Sequence, residues 1–139
     1  MDSNFFQRQM RRKQDMKLSQ KEFDKAVRRA FRRIPPEIRQ HMENVVLTVR
    51  KRPSQEMLDD LGMSRDNPPL GLYQGASMME RSVFAPPIYP DTIFIFQEPL
   101  EEMCDTVEEL EREIEITVVH EVAHFLGMSE DRLMELGYG

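Results

Sequence analysis

The chain has 139 residues, of which 40% are hydrophobic and 32% charged, with a net charge of −6. This length suits one domain, and the balance is that of a globular protein rather than a disordered or fibrous one. No apolar run approaches the roughly 20 residues of a membrane-spanning helix, so we expect no membrane partner. The polar N-terminus lacks a signal segment, and the lone Cys104 cannot form an internal disulfide. Both features predict a cytoplasmic protein in which Cys104 is a plain loop thiol.

The N-terminal third begins with a polar stretch and continues as a helix. Residues 1–17 have no apolar period, which predicts a flexible basic leader before one domain over residues 18–139. Ser19 and Glu22 match a capping box at the start of an amphipathic helix. Two consecutive prolines then end the helix, and a short helical turn through residue 42 follows.

The middle of the chain is rich in β-branched and aromatic residues. A short helix from Ser54 to Leu61, closed by Gly62, separates the first two predicted strands. The predicted strands are Asn44–Val49, Leu70–Gly75, a weak pair at Val83–Phe84, and Thr92–Gln97. The last of these is ended by Pro99 and is apolar on both faces. An edge strand that pairs with an extended substrate and a central buried strand are therefore equally compatible with its pattern.

The C-terminal third is predicted to be helical. Thr106 and Glu109 form a second capping-box pattern, and the apolar spacing continues to Leu126, where Gly127 is suited to a left-handed C-cap. A last short helix begins after Ser129 and is closed by a glycine at position 137. These elements predict an α+β fold, with a small mixed sheet of three to four strands packed on two longer helices.

The sequence HEVAH within this helix is the strongest chemical signal. His120 and His124 are four residues apart, so on a helix both imidazoles project from one face and can reach one zinc ion. Glu121 is placed to take a proton from a water molecule activated by that ion. The alternative is an ordinary helix that contains two core histidines. His41 has no such context and is predicted to be a surface residue.

A catalytic zinc ion usually takes three protein ligands. Gly127 can turn the chain back toward the end of the helix, which brings Glu130 and Asp131 toward the two histidines. Glu130 is our preferred third ligand because it lies six residues after His124, where the extended HExxH pattern has its third ligand. Asp131 is the alternative. The sequence thus predicts one Zn²⁺ per chain.

The stretch ITVVHEVAHFLGMSEDRLMELGYG resembles the small bacterial zincin-like metallopeptidases, as do LGLYQG, TIFIFQEPL and RRIPPEI. The resemblance spans roughly residues 18–139. It implies a compact minimal zincin-like domain with its active-site helix near the C-terminus. It places the metal ligands at His120 and His124, the catalytic glutamate at Glu121, and the acidic positions at Glu130 and Asp131.

Three functions fit these patterns. The first is a zinc-dependent peptidase that acts on a peptide or protein substrate, with Glu121 as the general base. The second is a non-catalytic zinc-binding or interaction protein in which the metal is structural. The third is nucleic-acid binding, since residues 1–33 carry a net charge of +7. The net charge of −13 on the remaining residues argues against it.

Overall fold

The computed structural model of this protein describes residues 16–75 and 90–139. In chain order the described residues form α1 (Gln20–Arg33), α2 (Pro36–Arg39), β1 (Val45–Arg50), α3 (Gln55–Leu61), β2 (Gly71–Gln74), β3 (Asp91–Phe96), α4 (Gln97–Glu102), α5 (Val107–Leu126) and α6 (Glu130–Glu135). A 3-10 turn at Gln40–Met42 joins α2 to β1. The predicted pair at Val83–Phe84 lies outside the described residues, as do residues 1–15 of the predicted leader.

Helix α1 begins with the predicted capping box. The side chain of Ser19 accepts the backbone N–H of Glu22 at 3.1 Å, and the carboxylate of Glu22 accepts the backbone N–H of Ser19 at 3.3 Å. Its buried stripe contains Phe23, Ala26, Val27 and Ala30. Met16, at the end of the predicted leader, is also buried in the hydrophobic core.

The sheet has three strands in the order β1-β3-β2. Strand β1 is parallel to β3, and β2 is antiparallel to it. Ile93 and Ile95 of β3 are fully buried. Of the two positions that suited this strand, the structure shows the central one, so β3 offers no edge to a substrate. Strands β1 and β2 are the outer strands of the described sheet.

The prediction that Pro99 ends this strand was wrong. The chain becomes helical at Gln97, and Pro99 is the third residue of α4. A proline is tolerated there because the first N–H groups of a helix have no partner within the helix. Sequence reasoning treated the proline as a stop signal and missed the helix.

The core lies between the sheet and the two long helices. It joins Phe23 of α1, Ile93 of β3, and Leu110, Ile114 and Val118 of α5. The predicted α+β fold is confirmed: a small mixed sheet packs on two longer helices, and the helix that carries HEVAH is near the C-terminus. No helix in residues 16–75 and 90–139 is long and apolar enough to cross a membrane.

Candidate active site

Helix α5 has well-defined ends. The side chain of Thr106 accepts the backbone N–H of Glu109 at 3.1 Å. The carboxylate of Glu109 bonds the N–H of Asp105 rather than that of Thr106, so only half of the predicted capping box forms. Gly127 ends the helix in the left-handed conformation, with φ of 71°. The rigid span between these caps carries His120, Glu121 and His124.

The two histidines share one face of α5, as their spacing predicts. The ring centroids of His120 and His124 are 6.0 Å apart and the rings are tilted by 55°. With nitrogen–zinc distances of about 2.1 Å and a tetrahedral ion, two imidazoles that share a zinc ion have centroids roughly 5–5.5 Å apart. His120 is half-buried and His124 is exposed. The pair is therefore slightly wider than a zinc-bound pair, and a small rotation of exposed His124 would bring both rings to one ion.

One ring nitrogen of His120 is already hydrogen-bonded. Its Nε2 lies 2.6 Å from the backbone carbonyl oxygen of Tyr138. A carbonyl only accepts, so Nε2 carries the hydrogen, and a neutral ring then has its lone pair on Nδ1. Metal-binding histidines typically donate their second N–H to a carbonyl or carboxylate in this way. The side chain of Tyr138 is buried, and its hydroxyl donates to buried Glu115.

Glu121 is held between α5 and β2. Burial raises the pKa of its carboxyl group, while His124, the backbone N–H of Tyr73 and His120 oppose that rise. The opposing contacts favour the carboxylate form of Glu121. Glu121 thus has the surroundings of a proton acceptor that is partly shielded from water.

Strand β2 approaches α5 closely at Gly71. A Cβ atom on Gly71 would lie 2.7 Å from Cγ2 of Thr117, so only glycine fits at this crossing. Two positions later the ring of Tyr73 stacks on Phe125, with centroids 4.0 Å apart. The hydroxyl of Tyr73 donates to Asp91 at 2.6 Å. Sequence reasoning missed Tyr73, because its contribution to Glu121 is a backbone N–H that any residue but proline could supply.

The two acidic candidates lie at the start of α6. Ser129 caps this helix by accepting the N–H of Arg132 at 3.1 Å. The guanidinium of Arg132 binds both carboxylate oxygens of Glu37 at 2.6 and 2.7 Å, which fixes α6 to α2. Glu130 and Asp131 are solvent-exposed.

The structure brings the two histidines together but not the acidic candidates. Within residues 16–75 and 90–139, no three His, Cys, Asp or Glu side chains form a group that could hold a metal ion. The donor types still fit zinc, which takes imidazole nitrogen and carboxylate oxygen. The roles of Glu130 and Asp131 as ligands stay predictions.

A concave surface lies at the starts of β1 and β3, next to the last residues of α5. It has a volume of about 450 Å³, and Tyr73 and Phe125 form one of its walls. His41 lies on its rim and is exposed, as the sequence predicts. Tyr73 therefore links the cleft to Glu121: its ring lines the cleft, and its backbone lies near Glu121.

Comparison with known proteins gives one result that identifies a family. No curated protein is similar enough to this chain to count as a match. Residues 42–139, which include β1 and all the elements after it, match the family described as zincin-like metallopeptidase. The match covers most of the chain and includes both histidines and Glu121. The chain therefore belongs to the zincin-like metallopeptidase family.

Proposed function

We propose that this protein is a zinc-dependent peptidase. The observation that carries the proposal is the position of Glu121, which follows His120 on α5 and lies against strand β2, where the backbone N–H of Tyr73 opposes the rise of its pKa. In this proposal His120, His124 and Glu130 hold one Zn²⁺, and Asp131 is the alternative third ligand. When bound, zinc supplies Lewis-acid activation of a water molecule and of the scissile carbonyl group.

The residues of the chain have separate tasks in this reaction. Glu121 accepts a proton from the attacking water and then delivers it to the leaving amine. The Tyr138 carbonyl holds the tautomer and orientation of His120. The N–H of Tyr73 keeps the carboxylate of Glu121 in position and favours its charged form.

We propose that the substrate aligns with β2 rather than with β3. Strand β3 is central, whereas β2 is an outer strand of the described sheet and lies against α5. Glu121 lies against this strand, so an extended peptide that aligns with the edge would run past the catalytic carboxylate. The cleft of about 450 Å³ beside Tyr73 and Phe125 would receive a side chain of that peptide.

The substitution Glu121→Gln tests this function. It keeps the size of the side chain and removes the proton acceptor, so we expect unchanged zinc content and turnover of a quenched fluorescent peptide library reduced about 10²-fold or more. Equal turnover in both proteins would exclude Glu121 as the base. If the wild type binds zinc but cleaves no peptide, the metal is structural and the non-catalytic alternative holds.

A further inference from the structure

The outer edge of β1 lies on the opposite side of the sheet from β2. In the described ranges no strand pairs with this edge. Every residue of β1 is at least partly exposed, and Val46 is 45% exposed. The strand has no proline and no charge before its last residue, Arg50, although such residues commonly protect an edge from pairing. The edge is therefore suited to accept another extended chain.

An apolar groove of about 400 Å³ runs between this edge and α1. The apolar side chains that line it come from α1, from the turn before β1, and from β1 itself: Val27, Phe31, Met42, Val45 and Leu47. Arg28 and Arg32 complete the lining on the helix side. An extended chain paired with β1 could place alternate apolar side chains in this groove.

The basic residues of α1 lie on two faces of the helix. Arg29 and Arg33 approach buried Glu111 of α5. The others are exposed and recur at spacings of four, three and four, which places them in one row: Lys21, Lys25, Arg28 and Arg32. No carboxylate in the described part of the chain forms an ion pair with this row.

We propose that an extended acidic segment of a partner protein binds here, adding a strand to β1. Every second side chain of this segment faces α1; among these, the apolar ones occupy the groove and the acidic ones pair with Arg28 and Arg32. The charge of the row selects for acidic residues, and the apolar lining requires hydrophobic residues at other positions on the same face of the segment.

Two other occupants fit less well. A nucleic acid would meet an apolar groove whose lining offers one aromatic ring, that of Phe31, for base stacking. A second copy paired through β1 about a two-fold axis would bring two basic rows together on the same face of the sheet, where they repel. The acidic peptide is the occupant that satisfies both the charge and the apolar surface.

The probe is a fluorescein-labelled seven-residue peptide in which every second residue is serine and the residues between them alternate between valine and glutamate, so that both types share one face of the strand. Fluorescence anisotropy measures its binding to the full chain. We expect the double variant Arg28→Glu/Arg32→Glu to bind it about tenfold more weakly or worse. The control Arg65→Glu/Arg112→Glu makes the same charge change at exposed positions outside the groove. It should bind like the wild type, and circular dichroism checks that both variants are folded.

A second probe separates strand pairing from charge alone. The same peptide with methyl groups on alternate backbone nitrogens cannot donate to β1, and we expect it to bind about tenfold more weakly. Equal binding of the two peptides, or equal losses in both double variants, would overturn the proposal. So would tighter binding of a single-stranded oligonucleotide of the same charge. A dimer in light scattering that the Arg28→Glu/Arg32→Glu variant leaves intact and that excludes the peptide would also overturn it.

Discussion

The backbone carbonyl of Tyr138 lies 2.6 Å from Nε2 of His120, so the C-terminal residues orient the first histidine of HEVAH. We expect deletion of Tyr138 and Gly139 to weaken zinc binding by about 10–100-fold, because the ring loses the acceptor that fixes its tautomer. Competition with a chromophoric chelator measures this affinity. A deletion variant with wild-type affinity would show that the carbonyl does not tune the site.

The substitution Tyr138→Phe is the matched control for that deletion. It keeps the carbonyl and removes the hydroxyl that donates to Glu115, which is 5% exposed. We expect unchanged zinc affinity and a free energy of unfolding lower by about 1–3 kcal/mol, because a buried carboxylate loses its donor. Urea denaturation measures the second quantity.

Gly71→Ala tests the contact between β2 and α5. The added Cβ would lie 2.7 Å from Cγ2 of Thr117 and 2.9 Å from the carbonyl oxygen of Phe94. We expect the free energy of unfolding to fall by about 1–3 kcal/mol, since the strand must move away from the helix. Adding Thr117→Ser removes the first clash and should recover part of the loss. No recovery would mean that the Phe94 backbone alone determines the cost.

Most of the fold was predicted from sequence signals that span only a few residues. The Ser19–Glu22 capping box, Gly62 and Gly127 formed as predicted, because each is determined by interactions within a few residues. The position of β3 within the sheet could not be read from its sequence. A strand that is apolar on both faces fits a central position, but only the pairing with β1 and β2 decides it.

The part of the candidate site that could be predicted is likewise determined by local geometry. His120, Glu121 and His124 share a face of one helix, and helical geometry alone fixes that relation. The contacts from Tyr73 and Tyr138 use backbone groups, which have no residue-type signature. The distance from the histidines to Glu130 depends on how α6 docks onto α2, a tertiary contact that spacing along the chain does not encode.

Cys104 should be unreactive in the folded protein. Burial, helped by the negative charges of Glu113, Glu109 and Asp105, raises the pKa of its thiol to about 12. The thiolate is the reactive form, so the neutral thiol persists at all pH values well below 12. We expect slow reaction with a disulfide reagent at pH 8 and fast reaction in concentrated urea.

A relocated thiol is the control for that experiment. Met103 is 51% exposed, so the variant Met103→Cys/Cys104→Ser presents a thiol one position earlier at the surface. It should react rapidly in the folded state. Rapid reaction of native Cys104 at pH 8 would contradict its burial.

The most direct test of the zinc site is the metal content of tag-free protein, measured by mass spectrometry for the wild type and for His124→Ala. We expect about one zinc per chain in the wild type and its loss in the variant, because a single remaining histidine cannot hold the ion with one carboxylate. Absence of zinc from both proteins after zinc addition and dialysis, or equal zinc in both, would contradict it.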